Sequence, residues 1–113
     1  MLGKSICDGE LPVPKSIVLH IEGTIATVVL NRPERNNTLD KRMWKELGEQ
    51  IQDCSANDAL RCVVLRGATA KAFSPGADIH EFASERANAK QAREYGHLMR
   101  ATLCAIRDCR HPT

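Results

Sequence analysis

Two short runs of β-branched and aliphatic residues, Ile17–Glu22 and Ile25–Asn31, are separated only by Gly23-Thr24. That spacing constrains the fold most, because runs so close predict an antiparallel hairpin. The segment Asn31-Arg32-Pro33-Glu34-Arg35-Asn36-Asn37 ends it. Pro33 bars a continuing central strand, and the two asparagines suit turn or cap conformations. A helix is predicted from Thr38 or Asp40, both good caps, to about Ser55. Its apolar residues Leu39, Met43, Leu47, Ile51 and Cys54 recur every three or four positions and so share one face. Trp44 flanks that stripe and is expected at its edge. Asn57-Asp58 marks the stop. Leu60 to Leu65 then reads as a short apolar strand, central in its sheet and buried on both faces.

Arg66-Gly67-Ala68 releases that strand into Ala72-Phe73-Ser74-Pro75-Gly76-Ala77-Asp78-Ile79. The Pro-Gly pair reverses the chain, and glycine permits a positive φ or a close backbone approach. Such a turn before a helix presents free amides at the positive end of the helix dipole. It can hold an anion, or an oxygen that becomes anionic during a reaction. A long helical region is predicted beyond Ile79. Its first part, His80 to about Gln91, is polar. Its second part carries Tyr95, Leu98, Met99, Thr102, Leu103 and Ile106 at helical spacing. It ends in Arg107-Asp108-Cys109-Arg110-His111, and Pro112 closes it.

The order is β-β-α-β-α, an α/β domain over residues 16–113 preceded by a loose tail at 1–15 that holds Pro12 and Pro14. No later segment pairs with the free side of the third strand, so an end at Thr113 reads as a stop within a fold. At 113 residues one domain is expected. A net charge of +2, with acids interleaved among the bases, gives no case for nucleic acid. No apolar run approaches bilayer length, and the N-terminus lacks signal or transit patterns, so no membrane role and a cytoplasmic location are expected. The five cysteines (Cys7, Cys54, Cys62, Cys104, Cys109) form no Cys-x-x-Cys pair and are expected as reduced thiols, with Cys54 and Cys62 in core packing. No metal site is expected.

Asp78, Glu81 and Glu85 are the acids nearest the turn. Asp78 most simply stabilises a helix N-terminus. Glu81 and Glu85 share a helix face and would be worth ~10²- to 10⁴-fold as a tuned acid–base pair. Arg86 and Lys90 beside them favour a solvated face instead. His80-Glu81 begins like a zinc-protease pair, but position 84 is Ser and the second histidine is missing. His20 is expected to face outward, and His97 lies on the polar side of its helix. No Gly-x-Ser-x-Gly, phosphate-loop or dinucleotide pattern occurs.

Three segments, in order and at these spacings, resemble the N-terminal portion of the crotonase superfamily, the enoyl-CoA hydratase/isomerase family. They are Ala26-Thr27-Val28-Val29-Leu30-Asn31-Arg32-Pro33, then Asn37-Thr38-Leu39-Asp40, then Lys71 through Ile79. The resemblance covers Ile17 to Thr113. It implies a partial crotonase-like ββα-type spiral core, truncated before the next strand. It further implies an acyl-CoA thioester as substrate, coenzyme A being part of that substrate and no separate cofactor being needed. By the resemblance, the Ala77 amide is one of two backbone donors to the thioester carbonyl. Pro75, Asp78, Ile79 and His80, with Arg35 and Asn36 on the neighbouring loop, are implicated in binding the CoA adenine and pantetheine. Arg35 also suits a CoA phosphate. The family's second donor turn and its acid–base glutamates would follow Thr113. The chain is therefore expected to be inactive alone, while full-length members form trimers or hexamers. The competing expectation is a non-catalytic CoA-binding or oligomer-interaction module.

Overall fold

The computed structural model describes residues 15–113. Apart from Lys15, the predicted tail lies outside the described residues, as does Cys7. The hairpin forms as predicted. Strands β1 (Ile17–Glu22) and β2 (Ile25–Leu30) run antiparallel, with Ile17 opposite Leu30 and Glu22 opposite Ile25. Gly23 turns between them with φ +62°. A 3₁₀ turn (Pro33–Arg35) leads to helix α1 (Lys41–Ala56), which crosses over to strand β3 (Cys62–Gly67). β3 pairs parallel with β2, Ile25 opposite Cys62 and Leu30 opposite Gly67, giving the sheet order β1-β2-β3.

α1 starts where a carboxylate can satisfy an orphan amide, since Asp40 Oδ1 accepts from the Met43 N–H at 2.8 Å. Its predicted stripe is the core. Leu39, Met43, Leu47, Ile51 and Cys54 are all buried against Ile17, Ala26, Val28, Leu30, Leu60 and Val63 from the sheet side. Burial pushes the Cys54 thiol pKa up, with Cys109 and Asp53 adding to it. Trp44 goes deeper than the stripe edge predicted for it: it is buried among the core residues. The cause is a third layer, because helix α3 (Ala89–Arg107) lies on α1 and closes over the indole.

Two expectations change. Among the described residues β3 has β2 as its one strand neighbour, its other side unpaired as expected, but its two faces differ. Val63 and Gly67 are buried, whereas Val64 is 39% exposed and Arg66 points to solvent. An apolar run is the same in a central and an edge strand; coverage decides, and the helices cover one face. Among the described residues the free side of β3 carries one link, the Val63 N–H donating to the Pro112 carbonyl at 2.9 Å. The long helix after Ile79 is also divided. A 3₁₀ turn (Ile79–Glu81) and a single helical turn α2 (Phe82–Glu85) precede a break, and α3 restarts behind Asn88. Asn88 Oδ1 accepts from the Gln91 N–H at 2.9 Å while Gln91 Oε1 accepts from the Ala87 N–H at 3.0 Å, a reciprocal cap that fixes the new start.

On α3, Tyr95 and Thr102 are buried and Leu98, Met99 and Ile106 pack partly on the core, but Leu103 is 54% exposed. α3 meets α1 along Thr102, whose hydroxyl donates to the Trp44 carbonyl at 2.6 Å, and that rotation turns the next residue outward. No described helix is long and apolar enough to cross a membrane.

Candidate functional site

The loop after β2 is closed by its own side chains. Asn36 and Asn37 both adopt left-handed conformations, φ +52° and +63°, which asparagine tolerates better than other residues with a Cβ. Asn37 is 1% exposed. Its Oδ1 accepts from the Arg32 N–H at 2.7 Å, and its Nδ2 donates to the Ala72 carbonyl at 3.2 Å. The loop is thereby tied to the segment entering the Pro75-Gly76 turn, and Leu39 is delivered alongside that turn.

There Leu39 forms a parallel bridge with Ala77. The Leu39 N–H donates to the Gly76 carbonyl at 2.8 Å, and the Asp78 N–H donates to the Leu39 carbonyl at 2.9 Å. A trans peptide points its C=O and N–H in opposite directions. With Gly76 C=O turned to Leu39, the Ala77 N–H of the same peptide points away from it, and among the described residues it has no hydrogen-bond partner. A peptide polarised at its carbonyl is a better donor at its N–H. Gly76 takes φ +113°, the backbone conformation that lets the chain present this plane. Its own N–H donates to Ser74 Oγ at 3.1 Å.

Asp78 is the buried acid of the site, 3% exposed. Its Oδ1 accepts from the His80 N–H at 2.9 Å, and its Oδ2 accepts from Arg32 Nη1 at 2.9 Å. The His80 amide holds the Asp78 carboxyl below its ordinary pKa; burial opposes this and Arg32 reinforces it. Asp78 thus caps the 3₁₀ turn, and its carboxylate is committed internally. Of the other sequence candidates, Asn36 and Pro75 come together with Lys71, Phe73 and Ser74 around an open groove of about 440 Å³. Ile79 is 68% exposed, His80 and Arg35 are also exposed, and Arg35 does not line that groove.

Glu81 is neither a solvated residue nor free for acid–base work. Its Oε1 accepts from the Lys41 N–H at 2.8 Å, capping α1, and from the Tyr95 hydroxyl at 2.9 Å. Burial, then the bond to Glu81, pushes the Tyr95 phenol above its ordinary pKa. Glu85 pairs with Lys41 Nζ at 3.2 Å. Sequence reasoning missed Arg32 and Asn37 as builders of the site and Glu81 as its anchor to α1. Asn37 carried one usable signal, an asparagine pair after a proline turn.

A free, polarised amide on a turn latched to the α1 entry can donate to an oxygen that carries or develops negative charge. The sequence model of the enoyl-CoA hydratase/isomerase family matches residues 20–113. The chain belongs to that family. A crystal structure of an enoyl-CoA hydratase/carnithine racemase from Magnetospirillum magneticum superposes with a TM-score of 0.84 at 49% identity, covering 88% of this chain and 38% of its own. The short-chain-enoyl-CoA hydratase of Clostridium acetobutylicum is 34% identical over 83 residues, 74% of this chain and 31% of that protein. The 1,2-epoxyphenylacetyl-CoA isomerase of Escherichia coli is 35% identical over 65 residues, 58% of this chain and 24% of that protein. The fold is accordingly the crotonase-like one that the sequence resembles. This member of the enoyl-CoA hydratase/isomerase family spans between 24% and 38% of the length of these three relatives.

Proposed function

We propose that the Ala77 turn receives the carbonyl oxygen of an acyl-CoA thioester. In hydration of an enoyl thioester, or in a shift of its double bond, electrons move onto that oxygen as an enolate forms. A preorganised amide gains strength as the charge develops, and one such donor is worth on the order of 3 kcal/mol in the barrier. The observation that carries the reading is the Ala77 N–H, unpartnered among the described residues and aimed away from Leu39 by the Gly76 hydrogen bond. Backbone around Pro75, Asp78, Ile79 and His80, with Arg35 and Asn36 across the loop, would hold the adenine and pantetheine, and Arg35 would meet a phosphate. No separate cofactor enters the scheme, because coenzyme A is part of the substrate.

For the 113-residue chain itself, binding without turnover is the better-supported form of this reading. Asp78 is buried on Arg32 and His80, and Glu81 is held by the Lys41 amide and the Tyr95 hydroxyl, whereas Glu85 makes a surface pair with Lys41. Calorimetric titration with acetyl-CoA and with S-ethyl-CoA, a thioether that lacks the carbonyl, tests the proposal. Acetyl-CoA is expected to bind about tenfold more tightly, the worth of one hydrogen bond to a neutral carbonyl. Crotonyl-CoA is expected to bind and remain unhydrated. Equal affinity for the two ligands would remove the thioester oxygen from the site, and hydration of crotonyl-CoA would show that the chain has its own acid–base group.

A further inference from the structure

Ala77 is held on its two sides by bonds to a single residue, Leu39. Two bonds to one residue fix the position of the turn but leave it free to roll about the line they define. A third point off that line is needed to set the direction of the Ala77 N–H, and Arg32 supplies one. Its side chain is 16% exposed, inside the loop rather than on it. Nη1 donates to Asp78 Oδ2 at 2.9 Å, to the Thr38 carbonyl at 3.1 Å and to Thr38 Oγ1 at 3.2 Å, while Nη2 lies 3.8 Å from Asp40 Oδ2. One guanidinium therefore grips the residue before Leu39 and the residue after Ala77, the two flanks of the bridge. Asp78 passes the constraint onward, since its other oxygen holds the His80 N–H.

We infer that Arg32, acting through Asp78, is the positioning residue for the Ala77 donor, fixing the angle at which that amide meets a thioester carbonyl. The inference rests on the proposed carbonyl-binding role of the turn. Arg32 touches neither the ligand nor the Ala77 amide. Its effect is on the direction of a hydrogen bond, so it is confined to ligands that present a carbonyl. A lysine cannot substitute, because a single ammonium on a flexible stem lacks the planar fork that spans Thr38, Asp78 and Asp40 together.

The test measures the ratio of affinities for acetyl-CoA and S-ethyl-CoA in the full chain and in two variants, Arg32→Lys and Asp78→Asn. Folding is checked by the near-ultraviolet signal of Trp44. In both variants the ratio is expected to fall from about tenfold to within twofold of unity, and in Arg32→Lys, which alters no residue assigned to coenzyme A binding, affinity for S-ethyl-CoA stays within twofold of the parent. Arg42→Lys, on the exposed face of α1 where Arg42 pairs with Glu46, is expected to leave the ratio unchanged. A tenfold ratio retained in Arg32→Lys or Asp78→Asn overturns the assignment while leaving the carbonyl role intact. A parent ratio near one overturns the carbonyl role and the assignment with it. If Arg32→Lys does not fold, Asp78→Asn decides. Failure of both to fold also overturns the assignment, since the pair would then hold the domain rather than the donor's angle.

Discussion

Gly48→Val is expected to cost about 3 kcal/mol of folding stability, because it strikes the closest approach between α1 and α3. A Cβ at Gly48 would stand 2.9 Å from Thr102 Oγ1 and 3.5 Å from Thr102 Cα. Thr102 cannot yield cheaply, since its buried hydroxyl donates to the Trp44 carbonyl at 2.6 Å. Valine therefore either breaks that bond or lifts α3, which uncovers Trp44 and Tyr95. Each route has its own cost: overpacking takes about 1–3 kcal/mol, and an orphaned buried polar group a similar amount. Urea unfolding followed through Trp44, the single tryptophan of the chain, reads the loss directly. Adding Thr102→Ala to Gly48→Val should recover part of it, because the clashing oxygen is gone. A stability within 0.5 kcal/mol of the parent would mean that the helices do not meet there.

Gly76→Ala is expected to act on the site first and on stability second. Glycine 76 sits at φ +113°, where a residue with a Cβ is strained by about 1–3 kcal/mol. Nothing lies within 4 Å of the added methyl group, so relief is available by rotating the backbone. That rotation swings the Gly76–Ala77 peptide, breaks the 2.8 Å bond from Leu39 and re-aims the Ala77 N–H. Preference for acetyl-CoA over S-ethyl-CoA should then fall to near unity. In a complete reacting site the same loss would slow an enolate-forming step by about 10²- to 10³-fold. Thermal unfolding should shift down by several degrees. Retention of the tenfold preference in Gly76→Ala would show that the glycine conformation does not set the donor.

The parts legible in the sequence were those whose cause is local. Two β-rich runs on either side of Gly23-Thr24 specified the hairpin, and the spacing from Leu39 to Cys54 specified the buried face of α1. The break before α3 was not legible, because the polar run from His80 to Gln91 offered no apolar stripe whose interruption would mark it. β3 could not be placed from its own residues, because an apolar run does not say whether a neighbour lies beyond it. Leu103 fitted the helical template and still faces outward, since the rotation of α3 is set where Thr102 meets Gly48, 54 positions earlier in a different helix. The turn at Pro75-Gly76 announced itself, whereas its supports did not. Arg32 and Asp78 are 46 residues apart, and nothing in either neighbourhood marks them as partners. Glu81 read as a surface acid because its partners, the Lys41 amide and Tyr95, come from two other elements.

The proposed hydrogen bond from the Ala77 amide to a thioester oxygen can be read at the amide itself. Proton–nitrogen correlation spectra of the chain labelled with ¹⁵N-alanine, titrated with acetyl-CoA and separately with S-ethyl-CoA, test it at the atom concerned. The Ala77 amide proton should move downfield and saturate with acetyl-CoA, and stay near its free position with S-ethyl-CoA. An Ala77 signal that responds alike to both ligands, or that stays still while other alanines shift with acetyl-CoA, would exclude that hydrogen bond.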